Sequence, residues 1–185
     1  MTRPPTKRPT YPSTLDRIAE YPGVVTISGW QNLRIVSWAA QAIGPAVDEL
    51  YVAMDRSQDF PRYSWVHLIR DKLALPDAAA RAGFARMMTE RSNELACVAV
   101  VVGGTGFWAS AMRNAVIGLR AFAPRKFELR LHGTADEVVN WLPSAHERQT
   151  QVELPVSALR EWLKQAQELE PVSRDHVLTK TFYLL

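Results

Sequence analysis

Two periods of hydrophobicity alternate along this chain, and each change of period closes a predicted element. Residues 24–28 and 33–38 are short β-rich runs separated by Gly29-Trp30-Gln31-Asn32, which reads as a hairpin loop. In the second run Leu33 and Ile35 alternate with Arg34 and Val36, the pattern of a strand with one buried face. Gly44-Pro45 then opens a helix, since proline is tolerated at the first helical position. Val47, Leu50, Tyr51 and Met54 share one face of it, and Asp59-Phe60-Pro61 ends it. Residues 63–70 form a third strand. A second helix starts at Pro76 and turns Ala80, Phe84, Met87 and Met88 inward, with Gly83 weakening it slightly.

The longest apolar run, residues 96–102 (ACVAVVV), leads into Gly103-Gly104-Thr105-Gly106 and then an amphipathic segment. Seven apolar residues without a polar break predict a central strand buried on both faces. The glycines predict a tight turn into a helix whose N-terminus lies at the strand's carboxyl end. Ala109, Met112, Val116, Leu119 and Ala123 form the apolar stripe of that helix, and Pro124 stops it. Residues 127–132 alternate: Phe127, Leu129 and Leu131 point one way, Glu128, Arg130 and His132 the other. One wet face predicts a strand near the sheet edge. Thr134 and Glu137 form a capping box opening a helix that buries Val138, Trp141 and Leu142 and ends at Pro143. A last helix begins near Pro155, carries Leu159, Trp162, Leu163 and Ala166 on one face, and closes at Pro171.

Strands alternating with helices predict an α/β fold: a single domain with a mixed, mostly parallel sheet of about five strands, an opening β-hairpin, right-handed crossovers, and an extra C-terminal helix. Residues 1–22 hold five of the twelve prolines and little periodicity, so they read as an extended or disordered arm. Residues 23–145 are the α/β domain. Residues 146–185 are a C-terminal helix and tail that pack on the domain or on a partner.

Charge and composition narrow the function classes. The formal net charge of +3 comes from Arg3, Lys7 and Arg8, ahead of the first acid, Asp16; the rest of the chain is balanced. A nucleic-acid partner is therefore not expected, because the folded body lacks a basic footprint. The N-terminus has basic residues but no apolar core of a secretory signal. No window approaches a membrane span. The single cysteine, Cys97, lies inside the long apolar run and reads as a small buried hydrophobe. The expected location is cytoplasmic.

The order of elements resembles the STAS/SpoIIAA-like family, the anti-sigma-factor antagonists and their relatives. The opening hairpin (VVTISG and LRIVSW), the strand ACVAVVV leading into GFWASAMR, and the closing FELRLHGTADEVVNWL carry the resemblance over residues 24–142. It implies a non-enzymatic, regulatory protein-interaction module, or, by relatives with such roles, a small-molecule or lipid binder. Phospho-regulated members place an Asp-Ser-Ser or Asp-Ser-Thr step after a central strand. The matching place here reads Asp71-Lys72-Leu73-Ala74, without the hydroxyl, so a phosphorylation switch does not carry over.

Candidate residues cluster at the predicted carboxyl edge of the sheet, where open α/β folds take ligands. Gly104, Thr105 and Gly106 are a candidate anion site, since the N–H groups at a helix start are unsatisfied and partly positive. Ser110 and Arg113 stand one and two turns further on, and Asp71 ends a neighbouring strand. A glycine-rich turn made for tight packing explains the same loop, and the Lys-Ser/Thr step of a P-loop is missing. An anionic ligand would then set its head group at Thr105 and Gly106 and its apolar body beneath Trp108. Phe107, Trp108, Phe182, Tyr183, Leu184 and Leu185 are candidate contacts for another protein or for self-association. Arg120, Arg125, Lys126 and Arg130 form a small basic cluster that suits a helix end or an acidic partner. His67 reads as a structural core residue, and His132, His146 and His176 as surface residues. No nucleophile–base pair, metal-ligand spacing or cofactor motif is visible. A hydrolase or transferase using Asp71 or His67 is the remaining enzymatic alternative.

Overall fold

The computed structural model describes residues 11–56, 59–120 and 126–168. Six strands and five helices follow in the order β1 (Asp16–Tyr21), β2 (Val25–Trp30), β3 (Leu33–Trp38), α1 (Gly44–Asp55), β4 (Tyr63–Ile69), α2 (Ala78–Glu90), β5 (Leu95–Val102), α3 (Phe107–Arg120), β6 (Glu128–His132), α4 (Ala135–Thr150) and α5 (Val156–Glu168). They form a single α/β domain around one sheet, whose strands lie side by side in sequence order. β1, β2 and β3 pair antiparallel; β3 through β6 pair parallel.

Sequential parallel strands joined by right-handed crossovers must send all their connecting helices to one face. α1, α2 and α3 accordingly cover one face, packing Val47, Leu50, Phe84, Met87 and Met112 against Val36, Trp65 and Val98. α4 and α5 follow the last strand and cover the other, with Leu142, Leu159, Trp162 and Leu163 on Leu33, Val66 and Cys97. Every residue of β5 is buried, as expected of a strand enclosed on both faces, although it stands one place from the β6 edge.

Four departures from the sequence pattern have physical reasons. β1 lies inside the stretch read as an arm. It is an edge strand with a bulge between Arg17 and Ala19, and only Ala19 of its six residues is fully buried, so it has no apolar alternation to detect. β3 is buried on both faces, not one. Arg34, 5% exposed, lies over the Tyr63 ring at 4.7 Å and donates to the Gln31 and Leu33 carbonyls at 2.6 and 2.8 Å. α4 runs through Pro143 to Thr150, because Ala145 and His146 beyond it are buried; that burial outweighs the hydrogen bond proline cannot give. Gly83 is a close-approach residue: a Cβ there would stand 3.0 Å from Val47 Cγ1, so its absence lets α1 and α2 meet.

At the amino edge of the sheet Arg62 ties four segments together. Its guanidinium donates to the carbonyls of Leu95 and Lys126 and to Gln149 Oε1, at 3.0, 2.6 and 2.6 Å. Hydrogen bonds from a charged donor contribute about 1.5–3 kcal/mol each at most when partly buried. Arg62→Ala should therefore destabilise the fold by on the order of 3 kcal/mol in urea unfolding. Arg148→Ala, which removes only an exposed ion pair with Glu128, should cost under about 1 kcal/mol. Equal costs for the two variants would contradict the clamp.

Candidate functional site

The parallel pairing of β4 and β5 brings Asp71 and the glycine loop to one edge, as the sequence implied. Gly104 and Gly106 have φ of +74° and +91°, backbone that a side chain would strain, so the turn itself accounts for both glycines. A Cβ on Gly103 would stand 3.3 Å from Asp71 Oδ1, and one on Gly104 3.6 Å from it. A carboxylate thus already rests against the loop and repels a second anion there. Arg113 is engaged by the loop: its Nη2 donates to the Val102 and Gly104 carbonyls at 3.1 and 2.9 Å. Thr105 and Ser110 are exposed. Trp108 is half-buried and donates its indole N–H to the Leu73 carbonyl, pinning the start of α3 to the β4–α2 loop. Phe107 is 90% exposed. Phe182, Tyr183, Leu184 and Leu185 lie outside the described residues.

The enclosed space lies next to this loop but under a different roof. A cavity of about 70 Å³ opens between α2 and α3, above β3, β4 and β5. Its floor is Trp38, His67, Val98 and Val100, and its walls include Phe84, Met87, Met88, Met112 and Val116. The mouth is at the carboxyl edge, bordered by Ala40 and Ala42 after β3 and by Leu73, Ala74 and Pro76 after β4. Gln41 Nε2 joins these two loops through the Leu75 carbonyl at 2.8 Å. The void follows from side-chain size. α3 turns Met112, Ala115, Val116 and Leu119 toward this space, and the small Ala115 leaves it unfilled opposite Phe84 and the methionines of α2.

His67 is the polar group on that floor. It is 7% exposed, and its Nδ1 accepts a hydrogen bond from Trp38 Nε1 at 3.2 Å. An indole N–H only donates, so Nδ1 carries no proton and the neutral ring has its proton on Nε2. Nε2 has no partner among the described residues and is the ring nitrogen left to the cavity. Trp38, Trp65 and Phe84 surround the ring with centroids 5.8–6.4 Å apart in the set. Burial among them lowers its pKa to about 4. The Arg81 side chain, on the exposed first turn of α2, is the cationic group at the cavity, and its Nη1 donates to the Pro76 carbonyl at 2.6 Å.

On the opposite face a wider open cleft of about 720 Å³ runs along the same carboxyl edge, past Asp71, Gly103, Thr134, Asp136, Arg160 and Lys164. Its charges oppose one another, Arg160 standing 3.6 Å from Asp136, and it holds no buried unpartnered group among the described residues. The smaller cavity is the better defined site, because its lining is almost wholly apolar with the His67 ring on its floor.

His132 and His146 are buried, not surface residues. His132 packs against the Trp141 ring with centroids 5.2 Å apart, and burial lowers its pKa. His146 is fully buried and its Nδ1 lies 2.7 Å from Ser64 Oγ. Burial lowers its pKa to about 4 and pushes the neighbouring Cys97 thiol up to about 11. Ser64 and His146 have nucleophile–base spacing that the sequence did not reveal, since they stand on β4 and α4. Neither borders the cavity or the cleft. Lys126 reaches Asn93 Oδ1 at 3.0 Å and Arg130 lies over Trp141 at 4.9 Å, so these two members of the basic cluster face their own domain. No group of three or more His, Cys, Asp or Glu among the described residues is disposed to hold a metal, and no described helix is long and apolar enough to cross a membrane. The chain matches no family model, no curated protein and no solved structure.

Two buried neutral imidazoles fix the sign of an acid effect. The unfolded rings take up protons near pH 6.5, whereas His67 and His146 do so near 4, so the unfolded chain binds more protons in between. Stability should therefore fall as pH drops through that window, by on the order of 3 kcal/mol per ring over its whole width. Urea midpoints measured between neutral and mildly acid pH should decline, and His146→Gln should flatten the profile. A midpoint indifferent to pH in the native chain would mean that the rings take up protons in the fold as readily as in the unfolded chain.

Proposed function

We propose that this chain is a non-catalytic binding domain that takes a small, mainly apolar molecule into the cavity between α2 and α3. The observation that carries the reading is an apolar chamber at the carboxyl edge of parallel strands with one donor that has no protein partner among the described residues, His67 Nε2–H, on its floor. Three methionines line it. Unbranched thioether side chains repack easily, so the chamber can widen for a guest larger than its resting volume. A non-catalytic role is favoured because the Ser64–His146 pair is fully buried and reached by neither opening. The resemblance to the anti-sigma-factor antagonists points the same way, without their phosphorylated hydroxyl.

A second reading, contact with another protein or with a second copy of the chain, is favoured by the outer face of α3. Phe107 is 90% and Ile117 56% exposed there. Phe107→Ser should then abolish any self-association seen by sedimentation while leaving the cavity unaltered.

For the cavity the test is a thermal-shift screen with small alkyl and aryl hydrocarbons, ketones and alcohols. At ten times its dissociation constant a bound guest stabilises the fold by about 1.4 kcal/mol, which raises the melting temperature by roughly 3–6 °C. Ala115→Phe, which fills the chamber from α3, should remove the response. A screen without a single shift, or shifts that survive Ala115→Phe, would remove the reading.

A further inference from the structure

The hydrogen bond between Trp38 and His67 dictates which guests the chamber prefers. It consumes the acceptor nitrogen of the imidazole and leaves a donor on the floor. We propose that the chamber takes an uncharged molecule end-on, an alkyl or aryl carbonyl compound whose oxygen accepts the Nε2 proton of His67. The proposal rests on the binding reading above and adds the chemistry of the guest.

Three classes of guest can be compared. A hydrocarbon would expel solvent from Nε2–H and offer nothing in exchange, leaving a buried donor unpaired. A carboxylate would need a cation beside it. His67 is neutral at ordinary pH because of its burial, and Arg81 is at the mouth, on the exposed first turn of α2, rather than on the floor. A neutral carbonyl satisfies the donor without bringing in a charge, while its alkyl or aryl part meets Val98, Val100, Met112 and Val116. A site built around one hydrogen-bonding group rejects the analogue that lacks it more strongly than an apolar wall rejects a missing methylene.

The test uses three molecules of one shape: methyl propyl ketone, the alkene in which C=CH₂ replaces its C=O, and butanoate. Binding is read from the ε-methyl NMR signals of Met87, Met88 and Met112, which line the chamber and report a guest of any polarity. The ketone is expected to bind at least about tenfold tighter than the alkene, as the loss of one buried hydrogen bond implies, and at least about tenfold tighter than butanoate, whose charge would be buried without a cation beside it. In His67→Phe, which keeps an aromatic ring and removes the donor, the ketone should lose its advantage over the alkene. If that variant does not fold, the imidazole ¹⁵N signals of His67 in the native chain decide instead. A ketone that moves Nε2 supports the proposal; one that moves Nδ1 alone, or neither, overturns it. Equal affinity for ketone and alkene, or tighter binding of butanoate, also overturns it and leaves the chamber as a plain apolar site. No response to any of the three would instead remove the binding reading itself.

Discussion

Three parallel strands, β3 to β5, enclosed between two layers of helices have almost no solvent face, and this constraint governs the remainder of the structure. A polar group carried on such strands must find its partner inside the protein or, like Trp65 Nε1, stay unpaired at a cost. The two polar side chains in the middle of β4 show two solutions. Ser64, facing α4, pairs with His146. His67, facing α2, pairs with Trp38 from the next strand. The first pair lies among Leu142 and Trp162 in one core, where His146 Nε2 is buried without a partner among the described residues. The second is satisfied on only one nitrogen, and the other opens on a void.

That void is a consequence of how α3 is held. Its first turns are fastened to the sheet edge by Trp108 on the Leu73 carbonyl and by Arg113 on the Val102 and Gly104 carbonyls. Its inner face presents Met112, Ala115, Val116 and Leu119, and the small Ala115 leaves room beside Met87 and Met88. In the proposed binding reading the glycine loop positions the roof of the chamber. The carboxyl edge is then the functional edge, and the contact chemistry comes from the strand floor.

The alternation of strands and helices, the two-faced burial of β5, the edge position of β6 and the apolar face of α5 were legible because each depends on local periodicity. β1 was not legible, because a charged edge strand with a bulge has no pattern to follow. The continuation of α4 past Pro143 was hidden because it depends on what buries Ala145 and His146, residues that contact elements far away in sequence. The site was half legible. The juxtaposition of Asp71 with the glycines followed from parallel pairing alone. The role of His67 did not, because a lone histidine in an apolar strand looks structural until the neighbouring strand supplies Trp38, twenty-nine residues away, and fixes its proton. An apolar strand carrying one histidine, beside another ending in tryptophan, is the signal that could have pointed there.

The account turns on the protonation of one ring, and NMR of the imidazole nitrogens measures it directly. In the native chain His67 should give a protonated, pyrrole-like Nε2 and a bare, pyridine-like Nδ1, and this pattern should persist well below pH 6 because burial holds its pKa to about 4. A proton on Nδ1, or an imidazolium at pH 6, would contradict both the Trp38 hydrogen bond and the donor-floored chamber.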